Sequence, residues 1–379
     1  MDFKLSEEQQ MLQDSVARFI AQDYEFDKRE KIVASEDGYS KDNWQLFADL
    51  GWLMVPFSED VGGLGGSAID LMLVMQEFGK GMVVEPFLAS AVLAGGLVAE
   101  AGSDPQKEEI LTALIEGGLQ LAFAYNEPQS RYNLADVATT AELHGDHYVV
   151  NGHKAVVLNG KAADQFVISV RTAGTRRDHD GISLLLVDAQ TQGLSRHGYA
   201  TVDGHQAAEV NLENVKVPVS ALLGTAGKAL PVIEKVIDRT TVALCAEAVG
   251  AMESAYKKTV EYTQTRKQFG VPIGSFQALQ HRMADMFIEC EQARSILQMA
   301  AMQLDGNNGV APKAVSAAKS RVGKAARLIG QEAVQLHGGI GVTQELDVGH
   351  LFKRLTTIQF MFGSTDFHTQ RFIQHAKTV

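Results

Sequence analysis

A block of short strand-like runs, from Leu119 to about Val219, lies between two long regions of helical periodicity. The runs are rich in valine, threonine and tyrosine and are bounded by glycine and charged residues, which is typical of strands. The clearest runs are His147–Val150, Gln165–Val170, Ile182–Val187 and Glu209–Leu212. Because no long helix separates them, they predict an antiparallel sheet or a small barrel, and not a Rossmann domain.

Helical patterns flank this block on both sides. Before it, the run Ser6-Glu7-Glu8-Gln9 predicts a capping box at a helix start. Further segments before the block keep the helical spacing of apolar residues: Trp44–Leu50, Ala68–Phe78 and Ala89–Ala101. After the block, four long helices are predicted: Ala229–Tyr262, Phe276–Leu304, Val315–Gln335 and Leu351–Ala376.

The order of these regions predicts an α+β chain of three domains. We assign an N-terminal helical domain to residues 1–117, a central antiparallel β domain to 118–225 and a C-terminal four-helix bundle to 226–379. At 379 residues, the chain is long enough for two or three domains and a large buried core.

Composition excludes several classes of protein. The net charge of −12 argues against sequence-independent nucleic-acid binding, which depends on clustered lysine and arginine. No apolar run is long enough to span a membrane, and the first residues lack the layout of a signal peptide. Cys245 and Cys290 cannot form a disulfide framework or a zinc ribbon, so we expect them to be packing residues. The prediction is a cytoplasmic protein with no membrane segment and no metal site.

Two segments in the C-terminal region carry side chains suited to an anionic ligand. In Arg266–Ile273, the arginine offers a permanently charged fork for anionic oxygens, and Phe269 offers an apolar face for a ring. In Gln335–Thr343, Gly338 and Gly339 have no side chain, so backbone amides can approach a ligand closely. Two simpler interpretations stay open: a solvated loop arginine in the first segment, and a helix terminator in the Gly-Gly pair.

The two segments resemble, almost letter for letter, the RxQFGxPI and QxxGGxG motifs of the flavin-dependent acyl-CoA dehydrogenases. The order of the three regions also matches that fold over the whole length. The resemblance implies FAD as the cofactor, with its ADP half, held by a neighbouring subunit, next to six residues of this chain: Arg266, Gln268, Phe269, Gln335, Gly338 and Gly339. It further implies an acyl-CoA substrate, a 2-enoyl-CoA product and an electron-transfer flavoprotein as electron acceptor.

The implied reaction needs a carboxylate base to remove the α proton of the thioester. By resemblance, that base is a glutamate before Gly-Thr near the C-terminus, or a glutamate on the first bundle helix. Alignment on Gly363 puts Phe362 at the first position, and counting back from Gly250 puts Thr240 at the second. Neither phenylalanine nor threonine can serve as the base.

Two other carboxylates stand nearby in the sequence, and each has two interpretations. Glu247 lies in the otherwise uncharged stretch Thr241–Met252, seven residues after Thr240. It is either the catalytic base, with a pKa raised by burial, or the partner of an arginine of the next helix, such as Arg282 or Arg294. Asp366 is either a second candidate base or the N-cap of a helix over Phe367–Ala376.

The β domain departs from the family pattern on the side of the flavin ring. Relatives carry Thr-Glu-Pro-Gly-x-Gly-Ser-Asp where this chain has Asn126–Asn133, without the glycines. They carry Trp-Ile-Thr, whose threonine hydrogen-bonds the ring, where this chain has Val156-Val157-Leu158. Leucine has no donor to replace the threonine.

The ADP-side motifs are thus present, while the ring side and the base are changed. This favours one subunit of a heteromeric acyl-CoA dehydrogenase, in a tetramer with a paralogous subunit that holds the ring and the base. The chain resembles the small subunits of bacterial two-subunit enzymes that act on pimeloyl-CoA or on steroid side-chain acyl-CoA thioesters. Two alternatives stay open: a self-sufficient homo-oligomer using Glu247 or Asp366 as base, and a non-catalytic scaffold without FAD.

Overall fold

The computed structural model describes residues 4–306 and 311–377. The chain divides into two compact units. The first, here called the helical unit, consists of Met1–Lys31, Ser67–Val83 and Thr241–Val379. The second, the sheet unit, consists of Ile32–Gly66 and Val84–Thr240. The N-terminal region predicted as one domain therefore contributes to both units.

The α-helices of the described residues are α1 (Glu7–Asp23), α2 (Phe26–Val33), α3 (Lys41–Asp49), α4 (Ala68–Gly81), α5 (Gly96–Ala101), α6 (Asp104–Ile115), α7 (Leu230–Thr265), α8 (Gln277–Asp305), α9 (Ala311–His337), α10 (Asp347–Ile358) and α11 (Thr365–Lys377). A π-helix at Phe87–Gly95 leads into α5. The predicted capping box is confirmed, because the Ser6 side chain accepts a hydrogen bond from the Gln9 backbone and the Gln9 side-chain oxygen accepts one from the Ser6 backbone. Within the described ranges, no helix is both long and apolar enough to cross a membrane.

The prediction of one helix over Leu351–Ala376 is wrong, because α10 and α11 are separated by a turn at Gln359–Ser364. Phe362 and Gly363 in this turn have φ of +55° and +123°, values that an α-helix does not contain. The Lys319 ammonium donates to the carbonyls of Ile358 and Gly363 over 2.9 and 2.8 Å. These carbonyls are held by a side chain instead of continuing a helical hydrogen-bond ladder.

The strands are β1 (Leu121–Ala124), β2 (Thr140–His144), β3 (His147–Leu158), β4 (Gln165–Arg171), β5 (Ile182–Asp188), β6 (Leu194–Ala200), β7 (Gln206–Pro218), β8 (Leu222–Leu223), β9 (Lys267–Gln268) and β10 (Val271–Pro272). Strands β3, β4, β5 and β7 confirm the four predicted runs. They belong to an eight-stranded sheet with the order β6-β7-β3-β2-β4-β5-β8 and with β1 beside β4. Inward-facing side chains such as Val150, Phe166 and Val210 form its buried core.

The sheet is not purely antiparallel, which corrects the prediction. Strand β1 runs parallel to β4, with Leu121 opposite Gln165. The chain passes through a long loop and the β2–β3 hairpin between these two strands, and parallel neighbours need a long connection of this kind. The other strand pairs are antiparallel, apart from one parallel residue pair between β2 and β4.

Helices α4 and α7 cross at two glycines in the helical unit. A Cβ at Gly79 would lie 2.0 Å from the Glu247 carbonyl oxygen, and one at Gly250 would lie 1.8 Å from that of Gln76. No side chain fits at either position, so the two helix backbones are in direct contact. This contact fixes the part of α7 that carries Glu247.

Candidate functional site

The first motif forms a short hairpin directly after α7. Strands β9 and β10 pair with Gln268 opposite Val271, and the Ile273 backbone donates to the Arg266 carbonyl over 2.9 Å. Phe269 and Gly270 form the turn with φ of +54° and +82°. Positive φ at both central residues defines a type I′ turn, in which asparagine or glycine is normal at the first position. The hairpin confirms that this segment connects two helices.

Phe269 is an unusual residue for the tip of that turn. A bulky side chain at positive φ is strained by about 1–3 kcal/mol. The ring is nevertheless 90% exposed, and its edge-to-face contact with Phe276, with centroids 6.2 Å apart, leaves most of its surface uncovered. Arg266 and Gln268 are exposed beside it, and no carboxylate in residues 4–306 or 311–377 pairs with the Arg266 guanidinium. The hairpin therefore exposes an apolar ring and a positive charge side by side.

The second motif lies at the C-terminus of α9. Gly338 has φ of +68°, which supports the helix-terminator interpretation for that residue. A Cβ built at Gly338 or at Gly339 would meet no atom within 4 Å. The backbone here faces open space, and Gln335 is exposed one turn earlier. Both glycines therefore leave room for close approach of a ligand, as the ligand-binding interpretation of this segment requires.

The two motifs meet through an aromatic pair. The rings of Tyr262, near the end of α7, and His337, the last residue of α9, are stacked with centroids 4.4 Å apart. The Tyr262 hydroxyl donates to the His337 carbonyl over 3.4 Å, and the His337 Nδ1 donates to the Ala333 carbonyl over 2.8 Å. Burial lowers the pKa of His337, against the opposing effects of that hydrogen bond and of Asp347. Sequence reasoning missed this pair.

Glu247 is buried and forms an ion pair with Arg354 on α10. The guanidinium Nε and Nη2 donate to the two carboxylate oxygens, the second over 2.8 Å. The suggested partners Arg282 and Arg294 were wrong, because they pair with Glu332 and Glu253. The correct partner lies 107 positions along the chain, beyond the reach of local sequence patterns. A catalytic role for Glu247 stays a prediction. To accept a proton from a substrate, the Glu247 carboxylate would have to give up a hydrogen bond from the Arg354 guanidinium.

Asp366 is exposed in the first turn of α11. The N-cap prediction for Asp366 was wrong by two positions, because the Ser364 side chain accepts the hydrogen bond from the Phe367 backbone over 3.3 Å. An acidic side chain in a first turn still interacts favourably with the helix dipole. No burial isolates this carboxylate from water, so its role as a second candidate base stays a prediction without structural support.

Phe362 stands where the family resemblance placed a base, and buried cationic and polar groups hold the turn around it. Its ring is buried and its carbonyl accepts a hydrogen bond from His368 Nε2 over 3.0 Å. Burial, together with Lys319 and Arg371, lowers the pKa of His368 to about 3 despite that hydrogen bond. The turn is thus fixed by the neutral imidazole and by the Lys319 ammonium. The sequence signal that could have identified Lys319 is a lysine on a helix face of α9 whose other buried residues are mostly apolar.

The sheet unit contains a second buried ion pair, between Glu127 and Lys154, 2.7 Å apart. Glu127 also accepts from the Thr139 hydroxyl over 2.7 Å and from the Ala138 backbone over 2.8 Å. Burial would raise the pKa of Glu127, but Lys154 and the hydrogen bonds outweigh it and lower the pKa to about 2. Burial lowers the pKa of Lys154 to about 8, against the attraction of Glu127. Both groups are therefore charged at neutral pH, and they anchor the loop that follows β1.

The acid stability of the sheet unit should depend on Glu127. Its folded pKa of about 2 lies below the ordinary value of 4.5, so its contribution is present above pH 4.5 and is lost as the pH falls towards 2. We expect Glu127→Gln to lower the urea midpoint at neutral pH, because Lys154 loses its partner. Between about pH 5 and pH 3, that midpoint should then fall less than the wild-type midpoint does. Glu142→Gln, at an exposed carboxylate of β2, should behave like wild type throughout.

Strand β3 contains an irregularity beside this loop. Its register against β7 shifts between Lys154 and Val157, and Val156 there has φ of +53° with 46% of its surface exposed. A β-branched residue in this region of φ is a true outlier. The Ala155 backbone donates to the Asn126 carbonyl over 2.8 Å, which ties the bulge to the loop. The segment Val156–Leu158 and the loop from Asn126 are therefore neighbours. These are the two segments at which the sequence departs from the family pattern.

No group of three or more histidine, cysteine, aspartate or glutamate side chains in the described ranges could hold a metal ion. Cys245 and Cys290 are both buried and free. Burial raises the pKa of the Cys245 thiol to about 12, which disfavours the reactive thiolate. The structural data therefore agree with the expectation that both cysteines are packing residues.

Three family models match the chain in succession. Residues 6–118 match the acyl-CoA dehydrogenase N-terminal domain, residues 122–215 the middle domain and residues 227–376 the C-terminal domain. A curated relative, the probable acyl-CoA dehydrogenase YngJ of Bacillus subtilis, is 31% identical over 371 residues, which is 97% of each chain.

Solved structures show the same similarity. The butyryl-CoA dehydrogenase from Megasphaera elsdenii is 26% identical and superposes with a TM-score of 0.90, covering 100% of both chains. A chain of the ChsE4–ChsE5 complex from Mycobacterium tuberculosis is 25% identical, with a TM-score of 0.90 and coverage of 100% of both chains. The similarity therefore spans all three regions of the sequence.

Proposed function

Because the chain belongs to the acyl-CoA dehydrogenase family, we propose that it is one subunit of a two-subunit acyl-CoA dehydrogenase and supplies the ADP-side contacts to FAD. The family activity is the α,β-dehydrogenation of an acyl-CoA thioester. A paralogous subunit would complete the tetramer and hold the flavin ring and the catalytic base. An electron-transfer flavoprotein would accept the electrons.

The observation that carries this proposal is the exposed pair of motifs. In the described part of the chain, Arg266 has no acidic partner, the Phe269 ring is 90% exposed with only an edge contact to Phe276, and Gly338 and Gly339 face open space. A guanidinium fork, an apolar ring and accessible backbone amides suit a pyrophosphate with an attached base and sugar. The residues present therefore fit the ADP half of FAD. They also count against a scaffold role, which would not need an exposed, strained Phe269.

The chain's own candidate bases support dependence on a partner. Phe362 and Thr240 occupy the two family positions, and the Glu247 carboxylate is held by Arg354. FAD, when bound, accepts the hydride from the β carbon. The residues of this chain would bind the pyrophosphate and exclude water from it, while proton removal would fall to the partner subunit. The similarity to a chain of the two-component ChsE4–ChsE5 complex is consistent with this division.

The substrate class follows from resemblance and stays part of the proposal. Two-subunit enzymes of this kind act on dicarboxylyl-CoA thioesters such as pimeloyl-CoA, or on steroid side-chain CoA thioesters. Loss of one of two catalytic sites would leave room for a bulky acyl group. Steady-state assays of the purified two-subunit enzyme with a short acyl-CoA, pimeloyl-CoA and a steroid side-chain CoA thioester test this directly. If the enzyme turns over only the short acyl-CoA and neither of the other two thioesters, the proposed substrate class is wrong.

Arg266→Ala should weaken FAD binding without affecting the fold. Loss of a charge-assisted hydrogen-bonded pair of about 1.5–3 kcal/mol corresponds to roughly 10- to 100-fold weaker binding. The measurement is the FAD dissociation constant of the two-subunit enzyme, from the recovery of flavin fluorescence on release, together with the urea midpoint. The matched control is Lys267→Ala, which removes the neighbouring exposed charge from the same hairpin. Equal FAD affinity in wild type and Arg266→Ala would contradict the proposed contact.

A second candidate is a self-sufficient homo-oligomer, and the burial of Glu247 is the observation that favours it. In that enzyme, Glu247 would leave Arg354 and act as the base. The chain purified alone would then oxidise acyl-CoA, and Glu247→Gln would abolish turnover while Asp366→Asn would not. Absence of turnover in the chain alone, with turnover in the two-subunit enzyme, would reject this candidate.

A further inference from the structure

The Tyr262–His337 stack lies between the two motifs without belonging to the ligand contacts assigned above. Its two rings are inclined by 25° with centroids 4.4 Å apart, which is a stacked geometry. His337 is 5% exposed, so it is a buried side chain and not a surface group that a ligand would reach. The pair therefore connects the ends of α7 and α9, with His337 buried and Tyr262 half-buried.

Each ring is attached directly to one of the motifs. On the α7 side, the Arg266 backbone donates to the Tyr262 carbonyl over 2.8 Å. The first residue of the hairpin is therefore hydrogen-bonded directly to Tyr262. On the α9 side, Gly338 follows His337 immediately, and the hydrogen bond from Nδ1 to the Ala333 carbonyl fixes the imidazole against its own helix. A movement of one ring relative to the other would thus change the separation of Arg266 from the glycines.

The hydroxyl of Tyr262 adds a directional contact to the stack. It donates to the His337 carbonyl over 3.4 Å, which is at the long end of hydrogen-bond distance. That carbonyl is at the helix terminus, where backbone acceptors lack partners within the helix. The ring contact therefore provides most of the attachment, and the hydroxyl orients it.

We propose that Tyr262 and His337 are positioning residues that set the distance and orientation between Arg266 and the Gly338–Gly339 backbone. The inference rests on the proposed function, because it assigns the pair to the FAD contacts described there. The two motifs are separated by about seventy residues, and two exposed segments on different helices bind one ligand only if their spacing is fixed. The stack supplies that constraint before FAD binds.

The test compares variants that remove the ring with variants that keep it. Tyr262→Leu and His337→Leu remove the stack, and we expect each to weaken FAD binding about 3- to 10-fold, the range of an aromatic pair. Tyr262→Phe and His337→Phe keep two rings and should bind FAD within about 2-fold of wild type. Tyr256→Leu is the matched control, because Tyr256 lies on the same helix and contacts the Phe287 ring, away from both motifs.

A second readout needs no FAD. In the full chain without FAD, tryptic cleavage after Arg266 and Lys267 reports the order of the hairpin, with cleavage after the exposed Arg131 as internal reference. We expect Tyr262→Leu to accelerate hairpin cleavage several-fold relative to that reference, and Tyr256→Leu to leave the ratio unchanged even if it lowers the urea midpoint. A merely structural role for Tyr262 would change the midpoint and leave the ratio alone.

The outcomes separate the two proposals. Wild type that binds FAD, with Tyr262→Leu and His337→Leu binding it as tightly, overturns the positioning role and leaves the proposed function standing. Wild type that binds no FAD in any assembly overturns both. Weaker FAD binding in the two leucine variants, restored by the phenylalanine variants and accompanied by faster hairpin cleavage, supports the inference.

Discussion

Arg354→Ala is expected to lower the free energy of unfolding of the helical unit by about 3–5 kcal/mol. The substitution leaves the Glu247 carboxylate buried without its guanidinium, and an uncompensated buried charge is one of the largest single destabilising effects known in proteins. Urea unfolding followed by far-UV circular dichroism measures the loss.

Two further variants identify its cause. Glu247→Gln in the Arg354→Ala background should recover part of the stability, because the double variant has neither the Arg354 guanidinium nor an unpaired Glu247 carboxylate. Arg282→Ala, which breaks the half-exposed pair with Glu332, should change stability by less than about 1 kcal/mol. If Arg354→Ala unfolds at the wild-type urea concentration, the Glu247–Arg354 pair does not stabilise the fold as described.

Gly250→Ala is expected to destabilise the helical unit by about 3 kcal/mol or more. The new Cβ would lie 1.8 Å from the Gln76 carbonyl oxygen, and a backbone atom cannot move aside as the end of a flexible side chain can. Helices α4 and α7 would have to separate, which reduces the burial of apolar side chains along both. The expected result is a lower urea midpoint with a comparable decrease for Gly79→Ala, whose Cβ would meet the Glu247 carbonyl.

The control for this prediction is Gly339→Ala. Its Cβ would meet no atom within 4 Å and its φ is not positive, so the urea midpoint should stay at the wild-type value. A wild-type midpoint for Gly250→Ala would show that the helices are farther apart than the structure places them.

Periodicity was sufficient to predict the main elements and their order. The four strand predictions lie within β3, β4, β5 and β7, and three of the four bundle helices are close to α7, α8 and α9. The prediction of one helix over Leu351–Ala376 missed the break between α10 and α11, because Phe360-Met361-Phe362 continues an apolar helical pattern. The N-cap interpretation of Asp366 implied a helix start two residues from the observed one. The Lys319 contacts that hold the turn come from another helix and have no local signal. Parallel pairing of β1 was missed for a similar reason, since pairing partners are set by tertiary topology.

The candidate site divides in the same way. Arg266, Phe269, Gln335 and the two glycines were found in the sequence because they lie in two short local motifs, and the structure shows them exposed. Contacts between distant segments gave no such signal. Arg354 pairs with Glu247, and Tyr262 stacks on His337, across segments far apart in the chain, and no local pattern marks these residues.

The most direct test of the central claim is a visible absorption spectrum and a solution mass for the full chain, expressed alone and together with a paralogous acyl-CoA dehydrogenase subunit. We predict a colourless protein when the chain is expressed alone, and a yellow mixed tetramer that oxidises acyl-CoA when the two are expressed together. A yellow homotetramer that turns over acyl-CoA without any partner would contradict the claim that this chain supplies only the ADP side of the site.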